Sequence, residues 1–130
     1  MRRSPFLALG ALILFATSAQ AAPPDGARKD CFRSRDWQGW SAPGEGDFLL
    51  LRVGIAEVYR VDLIPRSHVR KYPDNFLTNR IRGSSWICSP LDLDLVLADR
   101  IGMRQPLFPT SIRKLTPQEI AAIPKADLPH

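Results

Sequence analysis

The chain has 130 residues, with 18 Lys and Arg against 13 Asp and Glu, two Cys and two His, for a net charge of +5. That length allows one domain with a single modest core. So mild a basic excess lacks the dense stripe that nucleic acid asks for, and two histidines and two cysteines are few for a zinc site.

The N-terminus has the pattern of an export signal. Arg2 and Arg3 form a positive start, "FLALGALILFA" is an apolar run, and "AQA" ending at Ala21 is a small-x-small cleavage site. Cleavage is expected after Ala21, since cutting after Ala22 would place Pro23 beside the bond. Eleven apolar residues fall short of the roughly 20 needed to span a bilayer, so no stable membrane anchor is expected. The predicted division is a signal peptide (1–21), an extended leader (22–30), one β-rich domain (31–123) and a C-terminal tail (124–130). The mature protein, its net charge reduced to +3 by loss of Arg2 and Arg3, is then expected in the periplasm or outside the cell.

Cys31 and Cys88 remain in the mature part. An oxidising compartment makes a disulfide between them the default reading. The rival is a reactive thiol, which lacks a CxxC spacing and an evident His partner.

In chain order, "DFLLLRVG" and "AEVYRVDLI" predict two strands joined at Gly54 and Ile55. The second has Tyr59, Val61 and Leu63 on one face and Arg60 and Asp62 on the other. The first is apolar throughout from Phe48 to Leu51, as expected of a strand covered on both faces. The segment from Pro65 to Arg82 is irregular, with a helical turn expected after Pro73. "SSWIC" predicts a further strand, and "LDLDLVLAD" another, with Leu91, Leu93, Leu95 and Leu97 on one face. "RIGMRQPLFP" is a turn-rich crossover and "TSIRKL" a closing strand. "TPQEIAAI" is a short helix: Thr116 is its N-cap, Pro117 its first position and Glu119 its capping-box acid, with Pro124 as its stop. The pattern implies a mainly β fold of about five strands with a short C-terminal helix, a small curled sheet or barrel of SH3-like or OB-like kind.

The order "CFRSRDWQGW", "LLLRVGIAEVYRVDL", "RGSSWIC" and "IRKLTPQEIAAIPK" resembles a domain-of-unknown-function family of small exported bacterial proteins. That resemblance implies export and no established activity, so no catalytic residue is carried over. Members tend to have two further cysteines, one after the strand hairpin and one in the crossover before the last strand. This chain has Arg66-Ser67 and Gln105-Pro106-Leu107 in those regions. If the two missing cysteines normally pair with each other, Cys31 and Cys88 remain as the bridge; the other pairing would leave both orphaned.

Several side chains are candidate sites. Trp37, Trp40 and Trp86 are either core aromatics packed near the disulfide or an exposed platform for a glycan or peptide, with Gly39 letting a ligand approach the backbone. Arg66, Arg70, Lys71, Arg80 and Arg82, opposed in sequence by Asp74 alone, form either a solvated loop or a patch for envelope anions or an acidic protein. Asp92 and Asp94 are a solvated strand face or half of a cation or acid–base site, and neither a metal nor another cofactor is indicated. The functional expectation is a structural or binding module of the bacterial envelope without enzymatic activity. The alternative is a small hydrolase or thiol-redox enzyme that uses His68, Ser84, Ser85 or Cys88.

Overall fold

A computed structural model describes residues 30–130. The signal peptide and the leader as far as residue 29 lie outside the described residues. Among those described, nine short strands form in place of the expected five: β1 (Phe32–Arg33), β2 (Trp37–Ser41), β3 (Phe48–Val53), β4 (Glu57–Leu63), β5 (Asn75–Asn79), β6 (Trp86–Ile87), β7 (Leu95–Asp99), β8 (Arg104–Pro106) and β9 (Pro109–Lys114). They make three antiparallel sheets, in the orders β2-β3-β4-β9, β5-β7-β8 and β1-β6. The fold is mainly β, and no sheet closes into the expected barrel.

The core follows from the alternation of β3 and β4. Leu49, Leu51 and Val53 share one face of β3, and Tyr59, Val61 and Leu63 the matching face of β4, with Leu49 opposite Val61 and Leu51 opposite Tyr59. Leu93, Leu95, Ile87, Phe32 and Val69 pack against them. Leu50 and Val58 point the other way, into a smaller cluster with Leu115 that Phe48, Ile120 and Ile123 border. The apolar run from Phe48 to Leu51 is thus explained, because both faces of β3 meet side chains. Ile120 belongs to the helix α1 (Pro117–Ala121), whose start matches the sequence: Thr116 Oγ1 accepts from Glu119 N and Glu119 Oε2 from Thr116 N, at 3.2 and 2.9 Å.

Three expectations are corrected. No helical turn follows Pro73; residues 75–79 pair with β7 as β5, because a partner distant in sequence supplies the hydrogen bonds that local pattern does not encode. Leu91 does not share the inward face of Leu93 and Leu95. It lies in a 3-10 turn (Pro90–Asp92), 94% exposed, because Pro90 starts that turn and the Asp92 carboxylate caps it by accepting from Cys88 N and Ser89 N at 2.9 Å each. The strand expected at "SSWIC" shrinks to β6, paired with β1. In that register Cys31 and Cys88 are directly opposed, and they form a disulfide with Cα atoms 4.3 Å apart.

The tail 124–130 is docked against the domain. Ser41 Oγ donates to Asp127 O at 2.6 Å, Pro129 is buried, and the main chain of His130 lies over Gly39. Between β4 and β5 the chain turns sharply, with Arg66 and His68 at φ of 66° and 48°. Asp47 Oδ1 holds this turn by accepting from Ser67 N at 3.0 Å, and Val69 N donates to Gly46 O at 2.9 Å. Gly46 (φ 78°) tolerates no side chain, since a Cβ there would run into the Val69 backbone.

Candidate functional site

The basic residues lie on the two segments that flank β5, Arg66, Arg70 and Lys71 before it and Arg80 and Arg82 after it, and the structure divides them into three groups. Arg80 and Arg82 converge on Asp94. Arg80 donates a hydrogen bond to Oδ1 at 2.8 Å, while Arg82 Nε lies 2.8 Å from Oδ2 without hydrogen-bond alignment. The Arg80 hydrogen bond outweighs burial and, with the Arg82 charge, holds the Asp94 carboxyl below the usual carboxylate range. Asp94 is therefore the counter-charge that sequence spacing hid, fourteen residues beyond Arg80.

Lys71 is a strut. Its Nζ donates to Trp40 O at 2.9 Å and His130 O at 2.8 Å, and it lies 5.4 Å from the centre of the Trp40 ring. Burial lowers its pKa from the ordinary lysine value. This amine joins β2 to the tail and is not a free surface cation.

Arg66 and Arg70 make up the third group. Both are exposed, and neither forms an ion pair among the described residues. Their backbone is nonetheless held. Besides the Asp47 clamp, Asn75 Nδ2 donates to Arg70 O at 2.7 Å and Asn75 Oδ1 accepts from Tyr72 N at 2.8 Å. Arg70, Lys71 and Tyr72 line an open cavity of about 520 Å³ together with Pro43, Gly44 and His130. Sequence reasoning missed Tyr72 and His130 here, because only the docked tail brings them together.

The tryptophans do not make one platform. Trp40 is buried in the main core. Trp37 is partly buried beside it, and its indole N–H donates to Gly39 O at 2.8 Å. Trp86 is 46% exposed, with the Arg33 guanidinium 4.8 Å from its ring centre. The close backbone approach allowed by Gly39 is taken by the chain itself: a Cβ there would lie 2.7 Å from the His130 carbonyl carbon.

The cysteine and serines of the enzymatic alternative are engaged elsewhere. Cys88 is bonded to Cys31, so its thiol is not free. Ser84 Oγ accepts from Trp86 N at 3.1 Å, Ser85 O accepts from Ser34 N at 2.8 Å, and His68 is exposed on the clamped turn. No hydrogen bond links His68 to any of them among the described residues. Asp92 is held below the usual carboxylate range by the Cys88 and Ser89 N–H groups, which explains it as a turn cap. Among the described residues no three His, Cys, Asp or Glu side chains gather as metal ligands, and no helix is long and apolar enough to cross a membrane.

Comparison with known proteins finds no matching family model, no matching curated protein and no matching solved structure.

Proposed function

We propose that this protein is an exported, non-enzymatic binding module of the bacterial cell envelope that engages anionic material through Arg66 and Arg70. The observation that carries this reading is the pair of exposed, unpaired guanidinium groups on a backbone held by Asp47 and Asn75. Guanidinium suits phosphate or carboxylate because its planar fork donates two parallel hydrogen bonds, and a held backbone reduces the ordering that binding would otherwise require. Export is supported by the N-terminal pattern and agrees with the Cys31–Cys88 bond, which persists in an oxidising compartment.

The test is binding to anionic envelope polymer over a salt series. Exposed charges are screened over about 8 Å at physiological ionic strength, so affinity should fall as salt rises. The double substitution R66E/R70E should weaken binding further and leave the fold intact, because exposed substitutions usually shift stability by about 0.5 kcal/mol or less. Binding that ignores both salt and this substitution would remove the reading.

A further inference from the structure

The hairpin joining β7 to β8 ends in Asp99-Arg100-Ile101-Gly102-Met103-Arg104, and it is shaped from within. Asp99 Oδ1 accepts from Ile101 N at 3.0 Å and Met103 N at 2.9 Å, Asp99 N donates to Met103 O at 3.2 Å, and Gly102 takes the left-handed position at φ 97°. With that carboxylate oxygen engaged by the turn, the tip presents two apolar side chains: Ile101 is 88% exposed and Met103 67%. Arg100 and Arg104 flank them, both exposed and neither in an ion pair among the described residues. Tyr72, 58% exposed, lines a concavity of about 410 Å³ together with Met103 and Arg104.

Single exposed apolar residues are ordinary. Two on one tight tip, between two unpaired arginines and beside an exposed tyrosine, fit a lipid–water boundary. There the apolar groups enter the acyl edge, the guanidinium groups meet headgroup phosphates, and the tyrosine ring sits at headgroup level. A stable protein partner fits less well, because such an interface generally needs about 20–30 residues on each side, more than this short tip presents. Asp74 and Asp99 both line the same concavity and oppose anions, so the attraction rests on Arg100 and Arg104.

We infer that the β7–β8 tip docks peripherally on an anionic phospholipid surface, inserting Ile101 and Met103. This inference does not rest on the Arg66 and Arg70 reading, since it uses other residues. The experiment is co-sedimentation of the disulfide-bonded protein with vesicles of phosphatidylglycerol and phosphatidylcholine, compared with phosphatidylcholine alone. Binding to the anionic vesicles is expected. I101D/M103D should weaken it more than tenfold, as loss of two inserted apolar side chains requires. R100E and R104E should each weaken it at least about fivefold. R66E/R70E should weaken it less than I101D/M103D does, although it removes more positive charge, which separates insertion of the tip from anion attraction at the polymer site. Far-ultraviolet circular dichroism of each variant should match the parent, because the substituted side chains are exposed. Absent binding to the anionic vesicles, equal binding to both vesicle types, or folded tip variants that bind like the parent would each overturn the inference. Self-association in place of vesicle binding, abolished by I101D/M103D, would also overturn it, because the tip would then dock on a second copy.

Discussion

The main chain of His130 rests on Gly39, at a distance that leaves no room for a side chain. A Cβ built on Gly39 would lie 2.7 Å from the His130 carbonyl carbon and 2.9 Å from its oxygen. Gly39 is thus the seat of the tail, and Lys71 ties the two ends by donating to both Trp40 O and His130 O. Gly39→Ala should push the tail off β2 and cost about 1–3 kcal/mol, the range of overpacking in a filled site. Urea unfolding measures this directly. A variant with parental stability and a protease-resistant tail would show that the tail is not seated there.

The disulfide closes β1 on β6 across a separation of 57 residues. In the chain-entropy picture a loop of that size stabilises by roughly 4 kcal/mol through restriction of the unfolded chain. Replacing both cysteines by serine should lower stability by about 2–4 kcal/mol and leave the β content unchanged. Thiol labelling of the unreduced, denatured parent should find no free cysteine. Full labelling of both would break the assignment.

What local pattern could reveal follows from where each hydrogen bond is made. The hairpin β3-β4 was legible because its alternation records burial, and α1 because its cap lies within four residues of sequence. β5 was not, since Asn75 to Asn79 become a strand only through pairing with β7. Leu91 looked like one more inward leucine of an alternating run, yet Pro90 and the Asp92 cap turn the chain before the strand begins. The basic patch was legible as composition and illegible as geometry: Asp94 pairs with both Arg80 and Arg82, and the tail engages Lys71, both across distances that periodicity does not report. The glycine between Trp37 and Trp40 did signal a close backbone approach, but the approaching backbone is the chain's own.

Tyr59 buries a hydroxyl with no hydrogen-bond partner among the described residues, its ring 4.6 Å from that of Phe32. Removing an unsatisfied buried hydroxyl relieves its desolvation, so Tyr59→Phe should be neutral or stabilise by about 1 kcal/mol. Alkaline titration gives a second reading. Burial, with Glu57 and Asp30 adding to it, pushes the Tyr59 pKa up to about 12 from 10.0. A folded pKa above the unfolded one means that the neutral ring's stabilisation is complete below pH 10. It is then lost as the pH rises towards 12, while the unfolded state ionises first. The parent should therefore lose stability more steeply than Tyr59→Phe across that window. Equal alkaline slopes would show that the hydroxyl is solvated.

Asp94 controls how many cations the surface offers. With Arg80 and Arg82 paired to it, Arg66 and Arg70 are the unpaired members of the basic segment; Asp94→Asn releases the other two. If binding is by anion recognition, that variant should hold anionic envelope polymer roughly two- to fivefold tighter, the range that one or two exposed charges contribute, with a steeper salt dependence. The pH dependence has a defined sign. Because the folded Asp94 carboxyl titrates below the usual range, the pairing is intact above about pH 4 and is lost only as the pH falls through the lowered folded value. The parent should therefore bind less tightly than Asp94→Asn near neutrality and approach it at the acidic end. Affinity measured for both proteins across that series decides the matter: an asparagine variant indistinguishable from the parent at neutral pH would take Arg80 and Arg82 out of the contact surface.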